Sequence, residues 1–555
     1  MARPHAQLHA RSLTIERGDR TLVRDASLTL GPGDRVGLVG DNGAGKSTLM
    51  AVLAGEFAPT GGTVAATPAG ATVGVMRQEI DAQADETIIE HLARVTGVAA
   101  ASAALDDATD ALGATAASDL VGEVYQQALD LWLDLGGADL DARAAAALDE
   151  VGLRAEHLDV DVPVAGLSGG QRARLGLAAI ELARHDVLFL DEPTNDLDTD
   201  GLHHLEALVH ARQSAVMIVS HDRRFLERTV NAVVEIDSAR GIVTRYNESY
   251  LGYLDAKAIA RAHEEARYDS YVRTKRTLES RAETQRQWAT SGVKREKRFP
   301  VDNDKAARDF RINRTEKLAS KARQTDRALD RLDEVDKPWE PWQLQFRIGQ
   351  AARAGDLVAE VEGAVVERGA FRLGPIDLAV TSGDRVAVTG VNGSGKTTLL
   401  AALFGWLPLD AGRQRLGPSV VIGRLDQART QLDAHRDAVH YLVDDAATTP
   451  EEARSVLAKF GLGASHVTRP TTSLSPGERT RAVMARFQVT GVNTLVLDEP
   501  TNHLDLAAIE QLEQALDNYD GTLLLVTHDR ALLDATTITR RIEVDQGRIT
   551  VDEIR

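Results

Sequence analysis

Nine residues carry the first chemical signal. Gly40-Asp41-Asn42-Gly43-Ala44-Gly45-Lys46-Ser47-Thr48 fits the pattern G-x-x-x-x-G-K-[ST], and the pattern returns 350 residues later as Gly390-Val391-Asn392-Gly393-Ser394-Gly395-Lys396-Thr397-Thr398. Glycines at these positions let the backbone curl so that successive N–H groups and a helix N-terminus face phosphate oxygens. Lys46 and Lys396 can neutralise β- and γ-oxygens, and the hydroxyls of Ser47 and Thr397 can hold Mg²⁺. In both copies an apolar run precedes the loop, at 35–39 and 385–389, and a helical pattern opens near the lysine. That strand–loop–helix context is what a nucleoside-triphosphate cradle needs, and two copies with shared downstream motifs leave chance negligible.

The downstream motifs repeat at matched offsets. Gln78 and Gln427 follow Gly40 and Gly390 by 38 and 37 residues. Leu167-Ser168-Gly169-Gly170-Gln171 and Leu474-Ser475-Pro476-Gly477-Glu478 each open a helical pattern, and 23 residues past each serine stands an aspartate. These are Asp191 and Asp498, paired with Glu192 and Glu499 at the ends of apolar runs that read as parallel strands covered on both faces. Each pair continues as Pro-Thr-Asn-x-Leu-Asp to Asp198 and Asp505, and 30 residues beyond each of Asp191 and Asp498 comes a histidine, His221 or His528. A lone histidine is more often structural; two at identical offsets from carboxylate pairs point to chemistry.

The elements that position these residues divide the chain. At 555 residues it exceeds what one core organises. Residues 1–245 read as a first domain, 246–340 as a helical linker and 341–555 as a second domain. Alternating residues from about Leu8 to Leu30 suggest antiparallel strands ahead of the first loop. Between Gln78 and Leu167 lie 88 residues against 46 between Gln427 and Leu474, so the first copy carries an insertion, about 92–150, with 11 acidic residues and 2 arginines. Its Ala-rich periodicity predicts amphipathic helices, and its charge makes it a poor partner for phosphate backbones.

The linker predicts a hairpin of two charged helices, the first broken near Ser291-Gly292 and Phe299-Pro300, with a tip at about 288–304. From Arg273 to Arg331 there are 18 Lys and Arg against 9 Asp and Glu, a net of +9 in a chain whose formal charge is −19. The remainder carries −28 and repels polyanions. Lys294, Arg295, Lys297 and Arg298 beside Trp288 and Phe299 suit structured RNA, whose bases stack on rings while its phosphates meet cations. A solvated coiled-coil spacer is the plainer alternative, and Trp288 can equally pack between helices. The absence of cysteine excludes disulfides, thiolate zinc sites and cysteine-ligated iron–sulfur clusters. Without an apolar signal core in Met1 to Ala10 or a run long enough to span a bilayer, a cytoplasmic protein without a membrane domain is expected.

With phosphate loop, Gln loop, LSGGQ-type signature, carboxylate strand and His switch in order in both halves, the chain resembles the ATP-binding cassette superfamily. Twin cassettes on one chain around a charged helical hairpin resemble its ABC-F subfamily of ribosome-associated translation factors and antibiotic-resistance ribosome protection proteins. The resemblance implies an α/β fold of two tandem P-loop ATPase domains joined by a long helical hairpin. It implies a monomer whose cassettes close head to tail on two ATP molecules, so that Lys46 faces Ser475, Gly477 and Glu478 while Lys396 faces Ser168, Gly169, Gly170 and Gln171.

By the same resemblance Ser47, Gln78, Asp191, Thr397, Gln427 and Asp498 hold Mg²⁺, Glu192 and Glu499 polarise the attacking water, and His221 and His528 contact the γ-phosphate. Where cassettes place a ring over adenine, the chain offers Arg17 and Arg368, whose guanidinium planes can also stack. Pro476 replaces a glycine in the second signature and removes one N–H, which predicts unequal sites. The hairpin is expected at the exit site of the 70S ribosome, against tRNA and rRNA, reaching toward the peptidyl-transferase centre. Three alternatives stand beside this: a transporter ATPase subunit, a repair or chromosome-organising ATPase, and a binding module without catalysis. Within the subfamily, Lys337-Pro338-Trp339-Glu340-Pro341-Trp342 resembles actinobacterial resistance-type members, which favours protection against macrolide-class or related large-subunit drugs over a housekeeping role.

Overall fold

Short runs, too short for helices and apolar at nearly every central-strand position, build the two sheets that carry the phosphate loops. In the computed structural model the first sheet is ordered Val73–Met76, Val187–Asp191, Ala215–Val219, Arg35–Val39, Ala232–Asp237, Ile242–Tyr246. The second is ordered Ile422–Leu425, Thr494–Asp498, Thr522–Val526, Arg385–Thr389, Arg540–Asp545, Arg548–Ile554. Neighbours run parallel except the last pair of each sheet. Ala215–Val219 and Thr522–Val526 are buried at all positions, as parallel strands covered on both faces must be. The structure describes the chain apart from residues 1–5, 19, 78–84, 115–118, 154–159, 196, 239, 299–319, 321–323, 326, 334, 336–354, 370, 426–431, 433–436, 445–447, 503, 505 and 555.

Register places the chemistry at one edge. Asp191 lies opposite Val219 and Asp498 opposite Val526, at the carboxyl ends of their strands, where open α/β sheets gather ligands. A three-stranded antiparallel sheet flanks each phosphate loop: Gln7–Arg17 between Arg20–Leu30 and Gly61–Thr67, and Leu357–Arg368 between Phe371–Thr381 and Ala411–Leu416. Their inward residues, Leu13, Ile15 and Val23 in one copy and Val361, Val366 and Leu373 in the other, share a core with the helices Lys46–Leu53 and Lys396–Leu403. Burial of those helices' apolar faces therefore fixes where each phosphate loop ends.

The insertion of the first repeat forms the helices Val98–Ala114 and Asp119–Asp134. The Trp132 indole donates to Ser102 Oγ at 2.9 Å, above a small core of Val98, Ala101, Leu135 and Leu140.

Both repeats belong to one compact unit, Met1–Tyr250 with Gln343–Arg555, and Leu251–Trp342 form a second. The helix Tyr250–Arg298 is 49 residues long and runs through Ser291-Gly292, where the sequence predicted a break. A single interior glycine costs about 1 kcal/mol against alanine, too little to interrupt a helix continued by good formers on both sides. Most of the second charged stretch, and the tip beyond Arg298, lies outside the described residues.

Candidate functional site

The phosphate loops are backbone machines. Gly40 and Gly390 have φ of 154° and 144°, and a Cβ there would come within 2.8 Å of the Ile236 carbonyl oxygen and 2.1 Å of that of Val544. Only glycine fits that approach. Lys46 Nζ donates to the Gly40 and Asp41 carbonyls at 2.7 and 3.2 Å, and Lys396 Nζ to those of Gly390 and Val391 at 2.7 and 3.1 Å. The lysines thus curl over their own loops. The helices that follow begin at Lys46 and Lys396 behind the N-caps Gly45 and Gly395, with no side-chain cap and no acid in the first turn, so that their N-terminal dipole ends suit an anion. Thr397 Oγ1 donates to Asp498 Oδ2 at 2.7 Å, an all-oxygen pair that suits a hard cation such as Mg²⁺. The residues present therefore fit a triphosphate with magnesium.

Beside each phosphate loop stands a carboxylate on strained backbone. Glu192 and Glu499 have φ of 52° and 48°, in the left-handed region, and their N–H groups bond to Val219 O and Val526 O at 2.8 and 2.9 Å. Left-handed backbone at a residue that is not glycine costs about 1–3 kcal/mol and collects at functional sites. Glu192 Oε2 accepts the His221 N–H at 3.3 Å, and Glu499 Oε2 that of His528 at 3.4 Å. The ring Nε2 atoms lie 3.1 and 3.7 Å from the respective Oε1 atoms.

Burial pushes the Glu192 carboxyl up to about 7, against the pull of Lys46. Burial, reinforced by Lys396, holds His528 down at about 4, so its ring is neutral. Burial also lowers Lys396, opposed by Glu499 and Asp498. Each cassette thus sets a carboxylate, an imidazole and a lysine beside its own phosphate loop, Glu192, His221 and Lys46 in the first and Glu499, His528 and Lys396 in the second, and such a set can orient a water and stabilise charge on a transferring phosphoryl group.

The first repeat completes the site of the second. A cavity of about 690 Å³ is lined by Ser168, Gly169 and Gly170 of the first repeat and by Lys396, Thr397, Thr398, Asp498, Glu499 and His528 of the second. A Cβ on Gly170 would sit 3.0 Å from that of Asn392, and Asp198 Oδ2 accepts the Asn392 N–H at 3.4 Å. The first signature therefore faces the second phosphate loop.

Each signature serine caps its helix. Ser168 N–H donates to Gln171 Oε1 at 2.8 Å and Ser475 N–H to Glu478 Oε2 at 2.8 Å, with the reciprocal bonds at 3.3 and 3.2 Å. Pro476 opens the second signature helix, Pro476–Thr490, where a missing N–H is tolerated.

Arg368 lines the cavity, and so does Phe371, which the sequence reading missed. Its ring would lie 2.7 Å from a Cβ on Gly395, and it pairs with Arg368 across the strand turn. An aromatic residue 25 positions before Lys396 was the available signal. In the first repeat Arg17 pairs in the same way with Arg20, whose guanidinium donates to Ser238 O at 3.5 Å. Asp41 accepts from Ser238 Oγ at 2.6 Å. Gln78, Gln427 and Phe299 lie outside the described residues. For Trp288, Lys294, Arg295, Lys297 and Arg298 only the helical backbone is described.

A family model described as ABC transporter matches residues 23–195 and 373–502, the spans that hold both phosphate loops, both signatures and both carboxylate strands. Tylosin resistance ATP-binding protein TlrC of Streptomyces fradiae is 36% identical over 568 residues, covering 99% of each chain. The chain belongs to the ABC-F branch of the ATP-binding cassette family. Energy-dependent translational throttle protein EttA of Mycobacterium tuberculosis is 33% identical across 94% of this chain and 88% of its own. Archaeal ribosome recycling factor aABCE1, solved with the stalk protein aP1, shares the fold at a TM-score of 0.59 and 17% identity, over 97% of this chain and 88% of that one. As an ABC-F protein the chain is an ATPase that binds and hydrolyses ATP with Mg²⁺ as cofactor. Its two α/β cassettes are separated by a helical insert, and among the described residues no single helix is long and apolar enough to cross a membrane.

Proposed function

We propose that this ABC-F ATPase is a cytoplasmic monomer that binds the 70S ribosome in its ATP-bound, closed state and thereby protects it against large-subunit antibiotics of the macrolide or a related class. The carrying observation is likeness along the whole length to a relative named for tylosin resistance, 99% of each chain, linker included. The +9 charge of residues 273–331 supports a ribosomal RNA partner, since the rest of the chain is strongly acidic. In this reading the linker, residues 246–340, enters the exit site beside tRNA and rRNA, with Trp288, Lys294, Arg295, Lys297, Arg298 and Phe299 at or near its tip. ATP-driven closure favours the bound state, and hydrolysis releases it.

Each composite site takes its phosphate loop from one cassette and its signature from the other. Lys46 works with Ser475, and Lys396 with Ser168. The loop N–H groups and the lysines hold the phosphates, Glu192 and Glu499 orient the attacking water, and His221 and His528 hold the γ-phosphate side of the site. Magnesium neutralises phosphate charge when bound; Ser47, Asp191 and Gln78 in one site, and Thr397, Asp498 and Gln427 in the other, would hold it. The relative named as a translational throttle supports a second reading, a housekeeping translation factor.

The test uses the Glu192→Gln/Glu499→Gln double mutant, which traps the closed state. ATP-dependent co-sedimentation with 70S ribosomes, lost when residues 288–304 are deleted, is the expected result. A raised minimum inhibitory concentration of a macrolide in cells expressing the wild type then separates protection from housekeeping. No pelleting in ATP or ADP overturns the ribosomal reading.

A further inference from the structure

The two signatures differ in charge. Where the first signature helix has the neutral Gln171 at its third position, the second has Glu478, and both side chains make the same reciprocal cap with their serine. A carboxylate in the first turn stabilises its helix through the dipole. It also puts a negative charge at the end of the helix that has to receive a triphosphate. The first signature has no such conflict.

The structure sets a guanidinium and an imidazole from a neighbouring segment against this charge. His466 Nε2, from the short helix Ala464–Val467, lies 3.3 Å from Glu478 Oε1, and Arg469 Nη2 lies 3.5 Å from Oε2. The Arg469 N–H bonds to the His466 carbonyl at 3.3 Å, and an antiparallel bridge between Pro470 and Asp437 fixes the segment just beyond. Arg479, the next residue of the signature helix, is turned to the carbonyls of Leu474 and Thr472 at 3.2 and 2.8 Å. Compensation of Glu478 thus comes from outside the helix that carries it.

We propose that Arg469, assisted by His466, is a positioning residue for ATP: it neutralises Glu478 and fixes its carboxylate in the serine cap, so that the second signature can accept the phosphates held by the Lys46 loop. Arg469 acts through Glu478. This rests on the reading that the second signature serves the Lys46 loop.

The test measures steady-state ATP hydrolysis in a Glu499→Gln background, where the remaining turnover belongs to the Lys46 site. Adding Glu192→Gln must abolish that turnover; if it persists, the assignment of the sites falls and this inference falls with it. With the control in place, Arg469→Ala should raise KM for ATP about fivefold at nearly constant kcat, the pattern of lost ground-state binding, and Arg469→Lys should recover most of the loss. In a Glu478→Gln background Arg469→Ala should change KM less than twofold, because there is no charge left to neutralise. An unchanged KM in Arg469→Ala overturns the proposal. So does an equal effect in the Glu478→Gln background, since Arg469 would then only hold the loop; a folding defect would lower active protein in both backgrounds and leave KM where it was.

Discussion

Asp529, next to His528, shows how a single buried group sets a pH dependence. Its Oδ1 accepts the N–H groups of Ala531 and Leu532 at 2.9 and 3.0 Å and caps the helix Arg530–Ala535. Burial pushes its carboxyl up to about 6, and Asp222 of the other cassette adds to the shift. The folded value thus lies above the ordinary carboxylate value of about 3.9. The folded protein binds more protons between those values, so this group's contribution to stability is full below about 4 and lost as pH rises through about 6. Asp529→Asn keeps the cap acceptor and removes the charge. Calorimetry should show the second cassette's unfolding raised at pH 7.5, by on the order of 1 kcal/mol, with the gain shrinking as pH falls and gone below about 4. A gain independent of pH would point to packing instead. Phe371 makes a second residue-scale prediction. Stacking a base on a ring is worth about 1–3 kcal/mol, so Phe371→Ala should weaken ATP binding at the Lys396 site about tenfold, measured by titration in the Glu499→Gln protein. Arg20→Ala, at the matching turn of the first cassette, should weaken binding at the Lys46 site by less.

At the scale of elements, legibility followed burial. Runs such as 35–39 and 385–389 appear as strands with those bounds because a parallel strand buried on both faces is apolar through its middle. Strand alternation did not mark Phe371 as a site residue, because it assigns a residue to a face without saying which loop that face meets; only its distance from Lys396 could have. The left-handed backbone at Glu192 and Glu499 was equally hidden; nothing in a glutamate announces a positive φ, and the tertiary hydrogen bonds to Val219 and Val526 hold it there. The linker helix erred the other way, since Gly292 reads as a breaker while the surrounding Ala, Arg, Glu and Lys carry the helix through it. On the proposed ribosomal function a continuous strut is then the working element. Gly292→Pro, which costs about 3 kcal/mol and kinks a helix, should abolish ATP-dependent pelleting with ribosomes while ATPase activity without ribosomes stays within twofold. Gly292→Ala should pellet like wild type, and retained pelleting of the proline variant would show that the strut's straightness is not used.

The whole molecule has to bring together two cassettes that are both acidic, the first much more so than the second. Charge pairs across their boundary offset part of that repulsion. Arg223 of the first cassette is bonded to Glu513 and lies 3.8 Å from Glu510, and Arg224 Nη2 is 2.5 Å from Asp534 Oδ2. In the reverse direction Arg530 meets His203 Nε2 at 3.1 Å, an imidazole where the other half has a carboxylate. The Arg223 and Glu513 side chains are only 18% and 12% exposed, so the pair is screened less than a surface bridge, which is worth at most about 1 kcal/mol. Arg223→Glu sets three carboxylates together at the boundary, and on the proposed arrangement, in which each site borrows its signature from the opposite cassette, kcat/KM for ATP should fall at least tenfold at both sites. Glu513→Arg alone should do similar damage. The double exchange, Arg223→Glu with Glu513→Arg, restores opposite charges in the reverse orientation and should recover most of the loss, with a coupling of about 2 kcal/mol in the double-mutant cycle. Additive losses would mean that the contact accompanies closure without driving it; recovery would identify it as part of the force that assembles both sites from two halves.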